Sequence, residues 1–107
     1  MTHKLIAGNA ASITVISATV DLGSVAANTT EEETATVAGV QSGDFIVCQK
    51  PTLEAGLAIL GARVSSANTV TLTVGNFTGG GIDEASETLQ FLVIRPEGGS
   101  AASRVLS

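Results

Sequence analysis

The chain has 107 residues, enough for one domain whose single core removes roughly 65% of the surface that the unfolded chain exposes. Hydrophobic residues make up 44% of it and charged residues 14%, which excludes the profile of a disordered segment. Five Lys and Arg against ten Asp and Glu give a net charge of -5, which repels phosphate backbones and acidic lipid surfaces, so neither nucleic acid nor a membrane is an expected partner.

Residues 1–12, "MTHKLIAGNAAS", show no clear period and read as an N-terminal arm in which Leu5 and Ile6 are the anchors. The opening imitates an export signal, but Asn9, Ser12, Thr14 and Ser17 interrupt its apolar core, and no run of about 20 apolar residues offers a spanning helix. Residues 13–22, "ITVISATVDL", are apolar on both faces in the manner of a covered strand. "GSVAANTT" then turns the chain, and "EEETATVAGV" reads as a strand with a wet acidic start and with Ala35 and Val37 alternating against Thr34 and Thr36. "QSGD" is turn chemistry, and "FIVCQK" is a short strand closed by Pro51.

The next stretch, "KPTLEAGLAILGARVSS", reads two ways. Leu53, Leu57, Leu60 and Val64 recur at the spacing of one helix face, yet Leu57, Ile59, Ala62 and Val64 fit a strand that slips by one residue at Gly61. Gly56 and Gly61 each cost a helix about 1 kcal/mol relative to alanine, so a turn over 51–56 and a bulged strand over 57–65 are expected. "SSAN" is a four-residue hairpin loop leading to "TVTLTVG", where Val70, Leu72 and Val74 alternate with threonines. "NFTGGGIDEASE" is a long polar connection. "TLQFLVIRP" is a last strand stopped by Pro96, and its segment Leu92–Ile94 is apolar on both faces, as befits a covered central strand or a subunit interface. Residues 97–107 form a polar tail.

With 31 β-branched residues and strands at a spacing of about 8 to 12 residues, the expected fold is all-β: a small antiparallel β-sandwich or jelly roll over residues 13–96.

Chemistry is hard to assemble from these residues. His3, the one histidine, lies in the arm, so a Ser-His-Asp or Cys-His arrangement needs that arm to fold into a site. Cys48 shares a strand face with Ile46 and reads as a small buried residue; one Cys and one His cannot supply the N/S ligands of a zinc site. The acidic sets Glu31–Glu33 and Asp83, Glu84, Glu87 read as solvated charge and lack the alternating ligands of a calcium loop. "GNFTGGG" has no Lys-Ser/Thr pair to make a phosphate loop, and Asn28 and Asn76 head glycosylation sequons. Trp and Tyr are absent; Phe45 and Phe91 are expected in the core and Phe77 at an exposed loop tip. No enzyme activity, cofactor or metal is expected.

From "SGDFIVCQKP" through "AGLAILGARVSSANTVTLTVGNFTGGGIDEASETLQFLVIRP", residues 42–96, the chain resembles a module of small structural proteins of tailed bacteriophages. The carrying features are the Gly-Asp turn before a strand, the hairpin "GLAILGARVSSANTVTLTVGN" and the acidic turn before the last strand. A free-standing chain of this size with an arm looks like a capsid decoration (cement) protein. The resemblance implies a β-sandwich or jelly roll on the capsid exterior of the virion, a homotrimer whose partner is the major capsid protein. The arm residues Lys4, Leu5 and Ile6 are the candidate capsid contacts. The alternative is a binding module of a phage tail or fibre that contacts a host receptor through the loops around residues 76–84.

Overall fold

A computed structural model describes residues 10–97. Within them the strands run β1 (Ala10–Val20), β2 (Gly23–Val25), β3 (Thr29–Thr36), β4 (Phe45–Gln49), β5 (Leu57–Ser66), β6 (Thr69–Asn76), β7 (Ile82–Glu84) and β8 (Glu87–Pro96). They form two three-stranded antiparallel sheets, β1-β8-β4 and β3-β6-β5, and a two-stranded ribbon, β2-β7. The fold is all-β and has the form of a small antiparallel β-sandwich. Lys4, Leu5, Ile6 and His3 lie outside the described residues, as do residues 98–107.

Alternation builds the core. The central strands β8 and β6 send Leu89, Phe91 and Val93, and Val70, Leu72 and Val74, into one cluster with Val20, Ala35 and Leu57. Leu22, Val25, Val37, Val40 and Ile82 join it from the strand ends and connections. Phe91, the largest of the fully buried side chains, lies between Ile16 on β1 and Cys48 on β4 in the ladder. Full burial of one such side chain stabilises the fold by about 1.5–3 kcal/mol relative to leaving it exposed.

The stretch with two readings is a strand. β5 pairs with β6, and its register shifts between Ile59 and Gly61, so Leu60 is the extra residue. Leu60 is therefore 53% exposed, while Ile59, Ala62 and Val64 pack against the core. The helix-like stripe of leucines is split between two faces. The turn before β5 depends on Gly56, whose φ of 92° belongs to the left-handed region. A Cβ there would collide with the Cγ2 methyl of Thr78, while the Gly56 carbonyl accepts the Phe77 N–H at 2.8 Å. Gly56→Ala is expected to cost about 2 kcal/mol, measured as a lowered urea midpoint with an unchanged slope.

Three expectations change. The ribbon β2-β7 occupies segments that read as a turn and a long polar connection, because three-residue strands leave too short a pattern to detect. The β5-β6 hairpin is tighter than the four-residue loop expected: only Ala67 and Asn68 lie between the strands, with Asn68 at φ 63°. Asn68 earns its place there, since its backbone pairs with Val37 and Val40 and its side-chain oxygen accepts from Gly39 N–H at 2.7 Å. The acidic start of β3 is only partly wet. Glu32 points outward, whereas Glu31 and Glu33 share the face of buried Ala35, and burial followed by the charges of Glu31 and Asp21 pushes the Glu33 carboxyl up.

Candidate functional site

The register of the β1-β8-β4 sheet sets the character of its outer face. Ile94 on β8 stands between Ile13 on β1 and Phe45 on β4, and Leu92 stands between Val15 and Val47. Paired residues share a face, so these six form two parallel rows pointing away from the core, into which Phe91, Val93, Ile16 and Ile46 project. Ile13, Val15, Phe45 and Val47 are 49%, 61%, 66% and 59% exposed, with Leu92 and Ile94 half-buried between them. Beyond the apolar rows come Ser17, Gln90 and Gln49, and then Thr19 beside Thr88. The whole face carries no charge.

Two expectations are corrected here. Phe45 is not core: in β4 the inward positions belong to Ile46 and Cys48, which leaves Phe45 on the outer side, while Phe91 is completely buried as expected. The first strand, apolar on both faces, is covered on one face only. The other sheet supplies an internal contrast. The outer face of β3-β6-β5 carries Thr34, Thr36, Thr69 and Thr73, with Arg63 donating to both oxygens of Glu32 at 3.0 and 2.9 Å. That guanidinium holds the Glu32 carboxyl below its ordinary range. That outer face is polar and charged except at one end, where Leu60 and Phe77 are exposed, whereas the outer face of β1-β8-β4 is apolar across two full rows.

Two ionic clusters brace the ends of the first sheet. Lys50 continues the inward series Ile46, Cys48 and is 3% exposed in its side chain. Its three ammonium donors meet Glu84 Oε1 at 2.8 Å, Glu87 Oε1 at 2.5 Å and the Thr52 carbonyl at 2.6 Å, while Thr52 Oγ1 donates to the second Glu87 oxygen at 2.5 Å. Burial presses the ammonium pKa down, but the bonds and charges of Glu84 and Glu87 outweigh it and hold it above the ordinary lysine value. The Lys50 bond, then the Thr52 bond, holds the Glu87 carboxyl low. These groups line a shallow depression of about 310 Å³ with Ala85 and Ser86. Every Lys50 donor is already used, so the depression offers a bound clamp rather than a free ammonium. At the other end, Arg95 donates to both oxygens of Asp44 at 2.9 and 2.8 Å and to the Gly39 carbonyl at 2.7 Å. The Arg95 hydrogen bonds hold the Asp44 carboxyl low.

Lys50 was absent from the sequence-derived candidates, although its inward parity with Ile46 and Cys48 signalled a lysine needing partners. Glu84 and Glu87, read as solvated charge, are those partners, whereas Asp83 is exposed. Among the described residues, no group of three or more His, Cys, Asp or Glu side chains stands together as a metal site. Cys48 is half-buried on the inner face, and burial pushes its thiol pKa up, away from nucleophilic character. Asn76 is fully buried, so its sequon is closed in the folded chain, whereas Asn28 is exposed in a left-handed turn. Phe77 is 63% exposed, as expected, and its ring and the Leu60 side chain both lie over Gly75. Comparison with protein-family models, with curated proteins and with solved structures finds no match to this chain.

Proposed function

We propose that this protein is a non-enzymatic structural component of a tailed-phage virion, binding the outside of the capsid and stabilising it by bridging neighbouring capsid subunits. The observation that supports an assembly role is the uncharged outer face of the β1-β8-β4 sheet, with four large apolar side chains about half or more exposed. A contiguous apolar patch rimmed by polar groups is the mark of a protein contact surface. The phage assignment comes from the resemblance over residues 42–96, and Lys4, Leu5 and Ile6 of the arm remain its proposed capsid contacts. The virion exterior is the corresponding location and the major capsid protein the corresponding partner. The fibre or tail reading draws on a different observation, exposed Phe77 beside Leu60 at one end of the other sheet.

The test is binding to empty shells of the cognate major capsid protein, read by cryo-electron microscopy. Saturable density on the shell exterior, contacting more than one capsid subunit, is expected. Shells that stay bare at every salt concentration would refute the capsid reading and leave the receptor-binding alternative.

A further inference from the structure

We infer that the outer face of the β1-β8-β4 sheet is covered by the same face of a second copy of this chain, in a twofold, face-to-face dimer. The inference rests on the reading of that face as an assembly surface and names its occupant. Charge is the first argument. The chain carries a net charge of -5, so two copies repel wherever their acidic groups approach, yet the rows Ile13/Ile94/Phe45, Val15/Leu92/Val47, Ser17/Gln90/Gln49 and Thr19/Thr88 contain no ionisable group. Two like-charged molecules can meet there without placing charge against charge or burying any.

Area is the second. The observed exposures leave roughly 500 Å² of apolar surface, the upper end of what a lone monomer shows. With the five polar side chains of the rim the face reaches about 800 Å², the share of one partner in a standard stable interface. Its anatomy is also that of an interface, an apolar centre with an uncharged hydrogen-bonding rim. A flat sheet face finds its natural complement in another flat sheet face, packed about 10 Å away.

Symmetry then fixes the copy number. A single face that meets itself makes an isologous contact, which closes at two subunits; a trimer needs two different patches on each subunit. The face therefore argues for a dimer in place of the trimer that the phage resemblance implies. Pairing through the free edge of β1 would leave the six apolar side chains in water, so the face, not the edge, is the contact. A dimer also doubles every remaining surface, which gives a bridging protein two equivalent attachments by assembly alone.

The test is sedimentation equilibrium of the full chain from about 1 to 100 µM, with shell binding measured in parallel. Wild type should sediment as a dimer. Val47→Glu places a charge in the second apolar row, beside Leu92, and should raise the dissociation constant at least ~100-fold, while Thr34→Glu, on the outer face of the other sheet, should leave it unchanged. Val15→Glu serves as a second variant; both sites are more than half exposed, and circular dichroism confirms that each still folds. A monomer throughout, a trimer, or a dimer that Thr34→Glu disrupts and Val47→Glu does not, overturns the inference. Deletion of residues 2–9 should leave the dimer intact; loss of the dimer on deletion would assign the contact to the arm and also overturn it. Shells decorated by a monomeric protein would sink the dimer and keep the capsid reading, and a dimer that leaves shells bare would do the reverse.

Discussion

Asn76→Asp should destabilise the fold by about 4 kcal/mol, although it changes one atom of the side chain. Asn76 is completely buried at the end of β6. Its Nδ2 donates to the carbonyls of Val25 and Gly80, both at 2.9 Å, and its Oδ1 accepts from the Thr78 N–H at 2.9 Å and from Thr78 Oγ1 at 2.7 Å. An amide has two donors and an oxygen with two lone pairs, and all four are used. A carboxylate has no donor, so the substitution sets a buried negative charge against two carbonyl oxygens. Asn76→Ala removes the charge problem but leaves those carbonyls and the Thr78 N–H without their partner, for about 3 kcal/mol. Urea unfolding separates the two. The aspartate variant should recover relative to wild type as pH falls toward 4, because its carboxyl, once protonated, donates to one carbonyl; the alanine deficit should not show that recovery. An Asn76→Asp protein within 1 kcal/mol of wild type would show that the amide does not hold β6 to the β2 end and the glycine loop.

The glycine loop was legible only as flexible sequence. Its "GNFTGGG" composition suggested freedom, whereas one buried asparagine organises it through contacts 51 and 4 residues away, with Val25 and Gly80. Fold class was legible because it rests on local periodicity. Val70, Leu72 and Val74 alternate unmistakably, and the penalty of two glycines weighs against a helix over β5 without reference to any tertiary contact. The bulge beside Gly61 is readable for the same reason: after Ile59 the inward series resumes one residue late, at Ala62.

What periodicity does not supply is the sign of a face. Phe45 sits in the five-residue β4 and Phe91 in the ten-residue β8, and around each of them apolar residues occupy both parities. Only tertiary placement decides: β4 turns Ile46 and Cys48 to the core and leaves Phe45 at 66% exposure, while β8 turns Phe91 inward with Leu89 and Val93, at zero. The same limit explains the first strand, whose two apolar faces read as cover on both sides. The surplus apolar character that blurred the sequence reading is thus the feature that marks the candidate contact surface. Strands selected only for a core would alternate as β6 does.

Lys50→Met carries the second large effect, expected at about 3 kcal/mol at pH 7. The substitution keeps an unbranched apolar stem, one atom shorter, but removes the cation between Glu84 and Glu87, whose side chains are only 12% and 23% exposed. Two carboxylates then face each other across a site they were folded to share. The sign of the pH dependence follows from the shifts. Glu87 has a depressed folded pKa, so its contribution is present above the unfolded value of about 4.3 and is lost as pH falls through the folded one. Lys50 has a raised folded pKa, so its contribution is present below the unfolded value of about 10.4 and is lost as pH rises through the folded one. The clamp therefore works between those limits. Wild type and Lys50→Met should differ most near neutrality and converge below about pH 4, as Glu87 loses the charge that Lys50 pairs in the wild type. Thermal unfolding from pH 3 to 8 reads this directly, and a difference between the two proteins that stays constant over that range would show that Lys50 contributes through packing of its stem alone.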